Sequence, residues 1–278
     1  MRTLQPVQVI AVTSGKGGVG KTSTSVNLAV AMAQMDRKVI LLDGDLGLAN
    51  IDVMLGLQPT RNLSHVLEGQ CSLEDTLIEG PAGIMVVPAS SGKRNMAELS
   101  AAEHAGLVRA FSDLRTPLDT LIVDTAAGIA DSVITFSQAA QEVIVVVTND
   151  PQSLTDAYAL IKVLSRDYEV RRIQVLSNQT HTPAEGREIF ENLRRVAERF
   201  LDVMLVHLGT VPHDEWLRRA VRRQRSVVDA YPSSPSARAY QEVSKRIIAW
   251  GTPSGARGNL EFFVERLIAG ANNAGAAA

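Results

Sequence analysis

The chain has a single cysteine, Cys71. One thiol cannot close an internal disulfide, and it cannot supply the paired ligands of an iron–sulfur cluster. Cys71 therefore reads as a small, incidental residue. Charge of one sign is also lacking. The net charge is −2 at pH 7, so no global basic field points to nucleic acid or a membrane surface. No apolar run approaches the length of a membrane span. The opening Met-Arg-Thr-Leu-Gln-Pro has no apolar core of a signal peptide. These absences lead to the expectation of a cytoplasmic protein. Internal repeats are missing, and no composition break announces a second large domain.

What is present is ordinary for a soluble globular chain: 45% hydrophobic and 21% charged residues in 278 positions. That length suits one large α/β domain. Short β-branched runs alternate with longer helical patterns. Strands are expected at Val7–Val12, Val39–Leu42, Ile84–Val87, Thr120–Val123, Glu142–Thr148, Arg172–Leu176 and Leu205–Val211. Their apolar runs are nearly continuous, as in strands buried on both faces. Helices are expected at Thr22–Met35, Ala101–Leu114, Leu154–Arg166 and Glu185–Phe200. The alternation implies an α/β fold with a mostly parallel sheet flanked by helices. The expected organisation is a domain over 1–250, a linker over 251–258, an amphipathic helix over 259–269 and a disordered tail over 270–278.

Residues Gly15-Lys-Gly-Gly-Val-Gly-Lys-Thr22 fit the pattern G-x-x-x-x-G-K-[ST] between an apolar strand and a helix. The glycines allow backbone N–H groups to turn inward around phosphate oxygens, and the helix N-terminus adds its dipole. Gly15, Lys16, Gly17, Gly18, Val19, Gly20, Lys21, Thr22 and Ser23 are the expected nucleotide-binding run. Lys21 is expected on the β- and γ-phosphates and Thr22 on Mg²⁺. The extra lysine, Lys16, is not needed for the cradle. With it the loop resembles the deviant Walker A motif, K-G-G-x-G-K-[ST], of the MinD/ParA/nitrogenase-iron-protein superfamily. The resemblance implies ATP as ligand, Mg²⁺-dependent hydrolysis and an ATP-dependent homodimer. In that dimer Lys16 would reach the partner's nucleotide, as an arginine finger does elsewhere.

Two aspartates lie at the ends of apolar strands, where open α/β sheets bind ligands. In Leu41-Leu-Asp-Gly-Asp45, the resemblance makes Asp45 the switch I carboxylate that orients the attacking water and supports Mg²⁺, while Asp43 stabilises the strand end. In Leu121-Ile-Val-Asp124, Asp124 reads as the Walker B carboxylate that holds Mg²⁺ through water. Ala126–Gly128 then form switch II. Asn178 ends another strand, and its amide can both donate to and accept from an adenine edge. By the same resemblance, Pro212, His213 and Asp214 close over the base through backbone. Gln152 would approach the partner's ribose, and Asp156 would pair with the signature lysine.

Longer stretches are similar to one branch of the superfamily. Asp45-Leu-Gly-Leu-Ala-Asn-Ile-Asp-Val-Met-Leu-Gly-Leu57, Asp124-Thr-Ala-Ala-Gly-Ile129, Asp156-Ala-Tyr-Ala-Leu-Ile-Lys162 and Leu260-Glu-Phe-Phe-Val-Glu-Arg-Leu267 resemble the FleN/FlhG family of flagellar-number regulators. That resemblance implies an antiactivator of FleQ-type flagellar transcription activators. It also implies the GTPase FlhF as a partner, although the family's D-Q-A-x-x-L-R motif does not precede Val7. MinD-like septum placement and ParA-like partitioning are the alternatives within the superfamily. A P-loop carboxylate ligase is the alternative from another class. Leu260, Phe263, Val264, Leu267 and Ile268 recur at helical spacing. They leave two coverings open: the protein's own surface, or a lipid or protein groove that would place the chain peripherally at the inner membrane or cell pole. Arg218, Arg219, Arg222, Arg223 and Arg225 read as a solvated helix face, and no specific DNA binding is expected.

Overall fold

The computed structural model describes residues 6–89, 100–251 and 261–263. In chain order the strands are β1 (Gln8–Ser14), β2 (Val39–Gly44), β3 (Ile78–Glu79), β4 (Met85–Val87), β5 (Thr120–Ala127), β6 (Glu142–Val147), β7 (Arg172–Thr180) and β8 (Met204–Pro212). They form one sheet in the order β3-β4-β2-β5-β1-β6-β7-β8. Only the β3–β4 pair is antiparallel. The helices are α1 (Lys21–Ala33), α2 (Ile51–Leu55), α3 (Leu63–Leu67), α4 (Ala101–Ala110), α5 (Asp131–Ala139), α6 (Pro151–Arg166), α7 (Pro183–Phe200), α8 (Glu215–Arg222), α9 (Val227–Ala230) and α10 (Pro235–Ile248). No helix among the described residues is long and apolar enough to cross a membrane.

The central strands are Val-, Ile- and Leu-rich because helices cover both faces. Residues Val9, Ile10, Ala11 and Val12 of β1 are wholly buried, as are Leu121, Ile122 and Val123 of β5. Helix starts are set by a polar cap followed by proline, whose missing N–H is no loss there. Asp150 accepts from Gln152 N at 3.0 Å ahead of α6, and Thr182 accepts from Glu185 N at 3.1 Å ahead of α7. Ser234 does the same for α10, accepting from Ala237 N at 3.3 Å. Helix α10 packs in the core cluster that also holds Leu28 and Met32 of α1, through Tyr240, Val243 and Ile247. Burial pushes the Tyr240 phenol up to about 12. All parallel strands end at one edge, and β1 lies between β5 and β6, where the connections diverge to opposite sides. That is the position at which such sheets bind ligands.

Residues 252–258 of the expected linker, residues 259–260 and 264–269 of the expected helix, and the tail over 270–278 lie outside the described residues. The described part of the C-terminal segment is docked on the protein. Phe262 and Phe263 are wholly buried, and Glu261 is 4% exposed. Phe262 lies edge-on to Phe111 at 5.1 Å and stacks with Phe136 at 6.3 Å, and its N–H reaches Ala139 O at 3.2 Å. Helical spacing assigns Glu261 to a polar side and leaves Phe262 off the apolar stripe. The chain instead turns here, with Phe263 at φ 56°, and all three residues go inside.

Phe262→Ala should therefore remove a buried ring and leave a cavity, costing about 3–5 kcal/mol. Thermal unfolding should shift down by about 6 °C or more. An unchanged midpoint would place this segment outside the core.

Candidate nucleotide site

The loop between β1 and α1 is held in a shape that few residues other than glycine allow. Gly18 and Gly20 have φ of 79° and 93°. Gly15 presses against helix α6, where an added Cβ would lie 2.1 Å from the Asp156 carbonyl carbon. Ser14 Oγ donates to Lys16 O at 2.7 Å, and Gly128 N donates to Ser14 O at 2.9 Å, tying the segment after β5 to the base of the loop. Backbone N–H groups and the start of α1 thus face one hollow, as anion cradles do.

Behind the cradle lies an acidic pair. Asp43 and Asp124 are register partners at the ends of β2 and β5, both 1% exposed. Burial, then the neighbouring charge of Asp124, pushes the Asp43 carboxyl up to about 8, against hydrogen bonds from three backbone N–H groups. Those N–H groups are Asp45 at 3.2 Å, Asn50 at 2.9 Å and Ile51 at 3.1 Å. Asp43 therefore fixes the loop that carries Asp45. Burial pushes Asp124 up to about 6, opposed by hydroxyl hydrogen bonds from Thr22 and Ser25 and by the Lys21 charge. Ser25 Oγ sits 2.7 Å from Asp124 Oδ1. Asp45 adds its own charge to this group, and its Oδ1 accepts from Leu48 N at 3.1 Å. The structure brings Lys21, Thr22, Asp124 and Asp45 together. Among the described residues no three His, Cys, Asp or Glu side chains form a metal cage. A hydroxyl beside carboxylates, next to a phosphate cradle, fits Mg²⁺, which keeps several waters and takes phosphate oxygens as ligands.

Asn178, Pro212, His213 and Asp214 line one cavity of about 610 Å³ with Gly20, Ser23, Gln179 and helix α8. Two of these side chains also hold the surrounding structure. The Asn178 amide is committed to backbone: its Nδ2 donates to Val19 O at 2.7 Å and its Oδ1 accepts from Gln179 N at 2.9 Å. It braces the phosphate loop, and these two bonds use one of its two amide hydrogens and one of its two oxygen lone pairs. Asp214 acts as a clamp. It accepts from Trp216 N at 2.9 Å and from the Ser236 backbone N–H and hydroxyl at 3.0 and 2.7 Å, joining α8 to α10. Burial works to raise its pKa, but these hydrogen bonds win and hold it low.

Lys16 points across a groove of about 450 Å³ lined also by Thr148, Asn149, Asp150, Gln179, His181 and Glu185. Its partner is Asp150, not Asp156. Lys16, with the Gln152 N–H, holds the Asp150 carboxyl below its ordinary range. Asp156 instead accepts from Gln152 Nε2 at 2.9 Å, one helical turn away. Asn27, which sequence reasoning missed, accepts from Ser226 Oγ at 2.7 Å and Val227 N at 2.8 Å, tying α1 to α9.

Strand, phosphate loop, helix and two strand-end carboxylates, with a second lysine in the loop, define a P-loop nucleoside triphosphatase of the deviant Walker A class. Residues 5–248 match the ParA family model described as "NUBPL iron-transfer P-loop NTPase", and the chain belongs to this family. It is 55% identical over 268 residues, 96% of each chain, to "Antiactivator FleN" of Pseudomonas aeruginosa. It is 33% identical to "Flagellum site-determining protein YlxH" of Helicobacter pylori over 86% of this chain and 81% of the other. The septum site-determining protein MinD of Pyrococcus horikoshii, solved with Mg-ADP, superposes with a TM-score of 0.72 at 25% identity, covering 87% of this chain and 96% of that one.

Two tests follow from this geometry. Asn178→Ala should weaken ATP and inorganic triphosphate binding by a similar factor, because it loosens the cradle that both use. Titration calorimetry separates this from base reading, in which triphosphate affinity would stay unchanged. The second test concerns pH. An acid whose folded pKa is raised contributes stability at low pH that is lost as pH rises through the folded value. The nucleotide-free protein should thus lose stability between about pH 4 and 8, the window set by Asp43. Asp43→Asn should flatten that loss in urea unfolding, and parallel pH curves for the two proteins would contradict the assignment.

Proposed function

We propose that this chain is an ATP-driven dimer switch that restrains flagellar number by binding and restraining the flagellar transcription activator. The observation that carries this reading is the 55% identity to an antiactivator across 96% of both chains. The similarity to a flagellum site-determining protein supports the flagellar context. The family description's iron transfer gains no support from a chain with one cysteine.

The roles follow from charge and reach. Lys21 and the loop N–H groups bind the phosphates of ATP, and the 610 Å³ cavity takes the base. Thr22 and Asp124 would hold Mg²⁺, which would neutralise phosphate charge there. Asp45 positions the attacking water. Lys16 has no role at its own phosphates while Asp150 holds it. In the ATP dimer it leaves Asp150 for the partner's nucleotide and supplies charge there. Hydrolysis is slow, because the switch serves to time an on-state rather than to make product. Dimerisation is steeper than linear in protein concentration, so such a switch can report its own amount. That suits feedback on a structure built in small numbers.

Lys21→Ala should lose ATP binding. Asp45→Ala should keep ATP binding and cut hydrolysis by about a hundredfold or more, which phosphate release measures. Deleting the gene should raise flagella per cell, counted by electron microscopy, and Lys21→Ala should fail to restore the number. Normal flagellation with misplaced division septa in the deletion strain would replace this reading with septum placement.

A further inference from the structure

Helix α8 has two uses for its two sides. Leu217, Arg218, Val221 and Arg222 line the base cavity. The outer side carries Trp216, 43% exposed, against Tyr231 at 4.7 Å, with the Arg219 guanidinium over the indole at 4.8 Å. Arg223 Nη1 donates to Tyr231 Oη at 2.9 Å. Nearby charges are unevenly matched. Arg218 pairs with Glu215 and Arg225 with Asp229. Among the described residues no carboxylate pairs with Arg219, Arg222 or Arg223. The result is an aromatic anchor flanked by the unneutralised guanidinium groups of Arg219 and Arg223, on a chain whose net charge is −2. Tryptophan, tyrosine and arginine are the residues that dominate protein interfaces energetically.

We propose that this face docks an acidic segment of the activator protein, a step that rests on the proposed function above. Charge complementarity selects an acidic partner. The dimensions select a short protein segment over nucleic acid. Helix α8 has eight residues, about 12 Å of length, and the basic run ends in sequence at Arg225, which is short for tracking a phosphate backbone. With Arg219 over it and Tyr231 against it, the indole is not a bare platform for a base. The face is also joined to the nucleotide machinery. Asp214 anchors its first turn beside the base cavity. Just past its end, Gln224 Nε2 donates to Val53 O at 2.9 Å, on α2 after the Asp45 loop. A partner on this face therefore contacts an element that both the base and switch I touch.

The test uses the full chain with Mg²⁺ and a non-hydrolysable ATP analogue, titrated with purified activator. Trp216→Ala, and separately Arg219→Glu with Arg223→Glu, should each weaken binding at least about tenfold. The charge reversal should also remove most of the salt dependence, while analogue affinity and dimer mass stay as in the parent. Parent-like activator binding by both variants would overturn this face and leave the proposed function standing. No binding by the parent protein would overturn both. A duplex oligonucleotide that binds the parent and not the variants, with activator binding unchanged, would assign the face to nucleic acid and overturn the proposal.

Discussion

The site is organised around an electrostatic conflict. Asp43 and Asp124 stand side by side on β2 and β5, sealed from water. Burial, and for Asp43 also the neighbouring Asp124 charge, raises both carboxyls above their ordinary range. The surrounding structure is shaped to moderate this. Three N–H groups fold the Asp45 loop onto Asp43. Thr22, Ser25 and Lys21 crowd Asp124. A divalent cation with phosphates is the natural counter-charge, so the strain of the ligand-free site and its readiness to bind share one cause. Because the loop after β2 is bonded to Asp43 and the segment after β5 follows Asp124, a change of charge at the cradle bears on both segments.

The same strands touch the docked C-terminus. Phe136 stacks on Phe262 and also packs where a Cβ on Gly44 would lie 3.3 Å from its ring. Gly44 sits between Asp43 and Asp45. One aromatic thus separates the end of β2 from the buried Phe262, giving a short contiguous path between the charged site and the segment that follows the expected linker.

Much of the fold and cradle was legible because the signals are local. Eight contiguous residues write the phosphate loop, and unbroken apolar runs write the parallel strands. Helix α10 had a readable start, Ser234-Pro235, that the apolar pattern did not prompt. The contacts that no local pattern shows involve partners far apart in sequence. Asp150 and Asp156 are equally plausible companions for Lys16 on paper, and only the fold sets Asp150 across the groove. An amide at a strand end suggests base reading, and only the fold shows that Asn178 also bonds Val19, 159 positions away. The arginine run is a solvated face, as its sequence suggests, but Tyr231, which completes the cluster with Trp216, lies beyond another turn of chain. The burial of Phe262 is not written in a helical period, because the backbone turns at Phe263.

The account stands on Lys16 exchanging an internal carboxylate for a second molecule's phosphate. Light scattering on the purified 29.9 kDa chain with Mg²⁺ and either ADP or a non-hydrolysable ATP analogue measures this most directly. The parent should double its mass only with the analogue, and Lys16→Ala should bind the analogue yet remain a monomer. A parent that stays monomeric in both nucleotides, or a Lys16→Ala protein that dimerises as the parent does, would contradict it.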